Sequence, residues 1–251
     1  CVGDLKKKAL EDFYNLYSIN SKDYDKFFIN EINRINNLIN ETCRFNNIKR
    51  DKMLSALIKS SDDFVVNNHI IAGYHWFGPY YRDTLISLPG LCLVTGRIYD
   101  AKKILLDANN KINDIIPNIV HENGNASYNS VDSSLWYIYA CYKFYLYTKN
   151  SNFIRENLWI KMKLLINNYL SGTLYGICVK NGLVSYEADE SLTWTDTKYT
   201  VRKNAVEISA LWYNALRIME FFSHKFGEDN SEYSRLGDET KENFNKKFWN
   251  G

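Results

Sequence analysis

Proline is scarce in this chain of 251 residues, which holds only Pro79, Pro89 and Pro117. Long stretches therefore run free of the residue that most reliably breaks a helix. Long apolar runs are missing too: no segment reaches the roughly 18 consecutive apolar residues of a membrane-spanning helix, and no membrane partner is expected. Nor is one sign of charge in excess. Thirty-one basic and 29 acidic residues leave a formal net charge of +2, which removes the electrostatic case for nucleic acid. Histidine is rare, and the five cysteines (Cys1, Cys43, Cys92, Cys141, Cys178) are odd in number and lack C-x-x-C spacing. His75 has no second ligand at metal spacing, so no metal and no cofactor is expected. Cys92 and Cys141 sit in apolar stretches and read as small core residues. Lys6–Lys8 lead straight into a mixed amphipathic stretch rather than a signal peptide. Together these features predict a reducing, cytoplasmic setting.

Aromatic residues are plentiful, at 15% of the chain with 19 Tyr and 6 Trp. Their rings suit a packed helical core, and equally a groove in which flat ring faces stack on sugar rings. Helical spacing predicts helices over residues 4–18, 22–42, 49–66, 80–95, 98–114, 130–148, 152–170, 203–226 and 231–249. Phe28, Ile32, Ile35 and Ile39 step by three or four, as a helical stripe does. The stretches 130–148 and 205–222 are apolar on nearly every side, so each must be buried all round. Apolar helices alternate with amphipathic ones, which predicts two concentric layers. The inner layer would hold 80–95, 130–148 and 203–226, and the outer 98–114, 152–170 and 231–249. This is an all-α barrel of helical hairpins. Residues 171–202 break the pattern with Gly172, Gly176, Gly182 and two β-leaning pieces, Tyr175–Val179 and Leu183–Tyr186. They read as an ordered rim with a short hairpin near 171–196.

Three loop-to-helix junctions precede the inner helices and would share one mouth of the barrel, where a site is built. The first runs from Ala72 to Thr84. It places Arg82 and Asp83 at the start of an apolar helix, either as a structural ion pair or as a polyol-binding pair. The second runs from Ser127 to Trp136. With Asn129 or Ser130 as helix cap, Asp132 falls in the first turn, where the helix dipole alone would favour a carboxylate. The third, from Glu187 to Lys198, carries four acidic residues around Trp194 and is followed by Glu207. Glu187, Asp189 and Glu190 fit a solvated face. Glu207 lies in an apolar helix, where it needs Arg202, Lys203 or another cation, or a place facing the mouth. Clustered carboxylates and aromatic rings are what glycoside hydrolysis uses: one carboxyl protonates the leaving oxygen, and another activates water from the opposite face.

These residues resemble a known family. Gly73-Tyr-His-Trp-Phe-Gly78 followed by Arg82-Asp-Thr84 is similar to the W-F-G-x-x-G-R-D-T motif of glycogen-debranching enzymes. Tyr128-Asn-Ser-Val-Asp-Ser-Ser-Leu-Trp136 resembles Y-N-x-x-D-A-x-L-W, and Leu192-Thr-Trp-Thr-Asp196 resembles L-T-W-M-D. Val206-Glu-Ile-Ser-Ala-Leu-Trp-Tyr-Asn-Ala-Leu216 resembles V-E-I-N-A-L-W-Y-N-A-L. The resemblance implies an amylo-α-1,6-glucosidase domain on a glucoamylase-like (α/α)6 six-hairpin barrel. Such a domain cleaves α-1,6-linked glucose from glycogen or a branched α-glucan, with inversion. It further implies that Asp132 is the general acid and that Arg82 and Asp83 grip the terminal glucose. Trp76, Trp136 and Trp194 would shape the sugar subsites, lined by Asp196, Lys198 and Glu207.

The chain also departs from the family pattern. Tyr81 stands where the family has glycine before Arg-Asp, which would narrow the entrance. The link from Asp196 to Glu207 is short and keeps only Thr200-Val-Arg202 of the expected Thr-Pro-Arg. A twelve-helix barrel takes well over roughly 300 residues, so residues 1–251 are expected to form one partial barrel domain. Within it, 1–66 would be leading helices and 67–251 the motif-bearing portion. The family's catalytic base would then lie beyond Gly251. Two rival readings are a non-catalytic helical scaffold or sugar-binding fragment, and another helical-barrel glycosidase such as a glucoamylase or trehalase relative. The Val206–Leu216 run favours the debranching type.

Overall fold

A computed structural model describes residues 21–66, 68–74, 77–121, 123–186, 192–194 and 204–249, together with Glu11. The helix expected over 4–18 lies outside these residues apart from Glu11. So do His75, Trp76, Glu187, Asp189, Glu190, Asp196, Lys198, Arg202 and Lys203.

The described chain begins with two helices, α1 (Ser21–Phe45) and α2 (Lys52–Phe64). Asp51 starts α2 by accepting the Leu54 amide at 2.8 Å, the bond that satisfies an otherwise orphaned helical N–H. The apolar stripe of α1 is only half used. Ile39 and Cys43 are buried against Ile58 of α2, whereas Phe28 and Ile32 are exposed. Two aligned carbonyls at the end of the next helix are completed by α1: Thr42 donates to Thr95 O and Asn46 to Val94 O, each at 2.8 Å. This closes groups that a helix end otherwise leaves open.

That next helix, α3 (Tyr81–Leu88), runs into one π-helical turn (Pro89–Leu93). Pro89 has no N–H to give the ladder, and the Val94 amide reaches back five residues to Pro89 O at 3.0 Å. α3 packs against α5 (Ser133–Thr148), and α5 against α8 (Val206–Phe226). Leu85, Leu88, Tyr137, Phe144, Trp212 and Phe222 are fully buried among them, each stabilising the fold by about 1.5–3 kcal/mol relative to exposure. Tyr142 and Tyr145 of α5 meet Phe221 and Phe222 of α8 at ring distances of 5.5–6.2 Å. These rings belong to the C-terminal halves of both helices, so α5 and α8 run parallel and begin at the same end.

The outer helices are α4 (Ile98–Lys111), α6 (Ser151–Phe153) continuing through a π turn (Ile154–Leu158) into α7 (Trp159–Ser171), and α9 (Ser231–Phe248). Each buries one stripe and exposes the other. In α9 only Leu236, Gly237 and Thr240 are buried. A Cβ at Gly237 would meet the Arg217 guanidinium of α8 at 2.8 Å. The inner and outer layers expected from the sequence are thus present, with most helix ends within three residues of the expected ones.

The rim hairpin is present as β5 (Ile177–Lys180) and β6 (Leu183–Tyr186), paired antiparallel with Ile177 opposite Tyr186. Two smaller ribbons had no sequence signal. β1 (Val65–Val66) pairs with β2 (His69–Ile70), and β3 (Ile119–Val120) with β4 (Ala126–Ser127). They brace the loops that lead into α3 and α5. Among the described residues no helix is long and apolar enough to cross a membrane.

Candidate active site

The N-terminal ends of α3 and α5 meet through a buried ion pair. Arg82 Nε lies 2.8 Å from Asp132 Oδ1, with side chains 9% and 3% exposed. Charges this deep need partners, and a network supplies them to the guanidinium and to one carboxylate oxygen. Ser130 donates to Asp132 Oδ1 at 2.7 Å, and Arg82 Nη2 reaches Ser130 Oγ and Leu192 O, both at 3.1 Å. Arg82 therefore turns to a residue fifty positions away rather than to its chain neighbour Asp83. Asp132 Oδ2 takes no part in these bonds.

The placement of Asp132 differs from the expected first helical turn. α5 begins at Ser133, which makes Asp132 the capping residue itself, yet its carboxylate caps nothing. Its backbone carbonyl accepts the Leu135 and Trp136 amides at 2.9 Å, while Ser130 Oγ takes the Ser133 amide at 3.2 Å. With the helix end served by others, the carboxylate swings to Arg82. The macrodipole alone does not explain this aspartate.

Two further contacts fix the acid from below. Tyr169 of α7 donates to Val131 O at 2.7 Å and stacks on Trp212 with ring centroids 5.7 Å apart. Burial pushes its hydroxyl pKa well up, so it stays a neutral donor. The Val131 amide donates to Leu192 O at 3.0 Å. One carbonyl, that of Leu192, thus receives both Arg82 and Val131 and pins the short stretch 192–194 to the acid.

In front of Arg82 opens a cavity of about 530 Å³, lined by Ala72, Phe77, Tyr80, Arg82, Asp83, Ile86, Asn118 and Trp194. Phe77 and Trp194 are 52% and 65% exposed, so ring faces are available at its wall. Asn118 is only 6% exposed, and its Oδ1 is buried without a hydrogen-bond partner among the described residues.

Of the residues singled out from sequence, the cavity gathers Arg82, Asp83 and Trp194, with Asp132 one hydrogen bond behind Arg82. Trp136 does not line it; that ring packs edge-to-face on Tyr139 at 5.5 Å. Glu207 is half-buried in the first turn of α8 and does not line it either. Trp76, Asp196 and Lys198 lie outside the described residues. Tyr81 does not narrow the entrance as expected. Its side chain turns into the core, 4% exposed, and donates to Asp107 at 2.6 Å. Burial and then that carboxylate push its pKa up. Phe77, Tyr80, Asn118, Ser130 and Tyr169 enter the site without having been singled out for it. Phe77 and Tyr80 lay within the first junction and were legible there. Asn118 follows Pro117 in a stretch with no motif. A larger cavity, about 720 Å³, lies elsewhere, between α1 and the turn after α3.

Helical hairpins in two layers around a carboxylate-bearing mouth define a class. The fold is similar to that of a rhamnosidase from Klebsiella oxytoca with rhamnose bound, at a TM-score of 0.54 and 14% identity. The likeness covers 80% of this chain and 40% of that one, and it establishes a six-hairpin (α/α) fold of the kind glycosidases use. The chain spans about 40% of that relative's length. Residues 56–251 match the family described as amylo-alpha-1,6-glucosidase. The chain belongs to that family, a glycoside hydrolase family of the glycogen-debranching group.

Proposed function

We propose that this chain carries the general acid of a debranching glycosidase, which hydrolyses α-1,6-linked glucose at the branch points of glycogen or a similar α-glucan with inversion. One observation supports this above the rest. A buried carboxyl with one oxygen outside its internal bonds stands behind Arg82 at a ring-walled cavity that Arg82, Asp83 and Asn118 also line. The terminal glucose enters with its apolar face against Trp194 or Phe77. Asp83 and Asn118 take its hydroxyls, and Arg82 adds the face it turns to the cavity. Trp76, Asp196 and Lys198 keep the subsite roles that the family motifs imply for them, whereas Trp136 and Glu207, which do not line this cavity, are given none in it.

In the reaction, Asp132 gives a proton from Oδ2 to the glycosidic oxygen as the bond from that oxygen to C1 breaks. The glucan leaves as a free 6-hydroxyl. Water adds to C1 from the opposite face and loses its proton to a second carboxylate, so the anomeric configuration inverts. The carboxylate left on Asp132 is held by Arg82 and Ser130 through bonds already in place, which spares reorganisation.

The test is glucose release from a branched limit dextrin by the whole protein that carries this chain. Asp132→Asn is expected to lower the rate by about 10²–10⁴-fold while retaining hydrolysis of α-glucosyl fluoride, whose leaving group needs no proton. Equal losses on both substrates, or no loss on the dextrin, would remove Asp132 from the acid's role.

A further inference from the structure

The cavity of about 720 Å³ between α1 and residues 95–100, where the turn after α3 enters α4, has no part in the site just described. That turn follows the C-terminal end of α3, whereas Arg82 stands at its beginning. The thirteen-residue helical stretch from Tyr81 to Leu93 is about 20 Å long, with Arg82 at one end and the turn beyond the other. Its size falls within the range of about 300–1,000 Å³ typical of small-molecule sites.

Its chemistry can be read by setting aside the groups already committed. Arg34 is held by Glu31 at 2.7 Å and by Asp62, and Arg97 by Asp62 at 2.8 Å and Asp100 at 3.0 Å. These guanidiniums are a fixed wall. What remains is part of α1, with Asn37, Glu41 and Phe45 on one stripe at spacings of four and Arg44 three from Glu41, and Tyr99 opposite. Phe45 is 47% exposed and Tyr99 68%. Gly96, at φ +76°, lets the Phe45 ring lie on the turn, since a Cβ there would meet the ring at 3.1 Å.

Outside these ion pairs stand one cation, one anion, one amide and two exposed rings, of which Tyr99 has the Lys103 ammonium over one face at 4.3 Å and the other face open. Opposite charges side by side favour neither an anionic nor a cationic ligand. Alternating donors and acceptors suit vicinal hydroxyls, which are both at once, and open ring faces suit the C–H faces of a pyranose. We propose that this pocket is a second carbohydrate site, taking a linear stretch of α-glucan at the end of the barrel remote from the mouth. The proposal rests on the glucan reading above and extends it. A branched glucan presents many chains on one particle, so an anchor here raises the effective concentration of branch points at the mouth without touching the chemistry.

Affinity electrophoresis through glycogen-containing gels tests it, alongside glucose release from a small branched oligosaccharide too short to span both sites. The proteins compared are the wild type, Arg44→Ala/Tyr99→Ala, and Asp83→Asn/Trp194→Ala. Arg44 and Tyr99 are exposed, so their removal leaves the fold intact, which thermal unfolding verifies. The pocket variant is expected to lose affinity for glycogen by about tenfold or more, with release from the small oligosaccharide unchanged. The mouth variant is expected to do the reverse. A pocket variant retarded as strongly as the wild type, or a wild type that glycogen does not retard, overturns the second site. A wild type that is retarded but releases no glucose from the oligosaccharide overturns the glycosidase reading instead and leaves the pocket standing.

Discussion

Among the described residues, two buried aspartates hold arginines, at opposite ends of the same inner helix. Asp62, 7% exposed, lies beyond the C-terminal end of α3 and meets Arg34 and Arg97. Both its oxygens are taken: Oδ1 by Arg34 at 3.3 Å and Arg97 at 2.8 Å, and Oδ2 by Arg34 again. Asp132, 2% exposed, meets one arginine through Oδ1 alone, and a cavity opens in front of that arginine. The first aspartate is saturated and ties the leading helices to the barrel. The second is held firmly on one side and keeps an oxygen in reserve. Burial and an arginine partner are common to both, so neither property marks a reactive group. What separates them is the oxygen left over and the space beside it.

The sharpest test of this contrast is to neutralise each in turn. Asp132→Asn is expected to cost about 10²–10⁴-fold in dextrin hydrolysis with little change in melting temperature. Asp62→Asn should do the opposite. It leaves two guanidiniums sharing a neutral amide, at about 2–3 kcal/mol, a figure reduced because Arg34 is half-exposed. Thermal unfolding should then fall by roughly 5–10 °C while activity per folded molecule persists. If Asp62→Asn abolished catalysis in folded protein, the distinction would break.

A smaller effect probes the support of Asp132. Tyr169→Phe removes the hydroxyl that Val131 O accepts and leaves a buried carbonyl short of a donor, at about 1–2 kcal/mol. Urea unfolding should register that loss, and kcat should fall several-fold with KM unchanged if the bond positions the acid. A loss of stability with kcat intact would confine Tyr169 to packing.

The smallest effect comes from a half-exposed carboxylate that calibrates the other two. Partial burial opposes the charge of Glu228, but hydrogen bonds from Trp159 at 2.9 Å and Lys163 at 3.1 Å outweigh it and hold its pKa below the ordinary 4.5. A depressed folded-state pKa gives a stability contribution that is full above the unfolded value and disappears as pH falls through the folded one. Glu228→Gln should therefore lower stability at neutral pH by less than about 1 kcal/mol. The gap to wild type should close on acidification below pH 4.5, which urea midpoints taken across that range will measure.

The layers of this fold were legible because burial leaves a periodic trace. Leu135, Ile138 and Phe144 could face only a core, and the glycines of 171–202 could only interrupt it. The stripe on α1 was legible as a helix but misleading about burial, since Phe28 and Ile32 have the right spacing and yet stay exposed. The site was legible as an inventory rather than as an arrangement. Arg82, Asp83, Asp132 and Trp194 stood out, but the pairing of Arg82 with Asp132 over Asp83 depends on which side chain reaches across the barrel, and spacing does not record that. Asn118 and Tyr169 were illegible for a related reason. One matters because it lines the cavity, and the other because it bonds a backbone carbonyl 38 residues away.

The carbonyl of Leu192, which receives both Arg82 and Val131, has a consequence for how the protein is made. Arg82 and Leu192 are 110 residues apart. At about 5–20 residues per second of synthesis, the arginine waits on the order of ten seconds for that carbonyl to emerge. Asp132 arrives midway, so the ion pair forms first and the rim stretch with Trp194 docks onto it afterwards. The cavity is therefore completed late, after most of the surrounding helices exist, and a nascent chain halted before Leu192 would hold Asp132 and Arg82 together with the Phe77 side of the cavity but without Trp194.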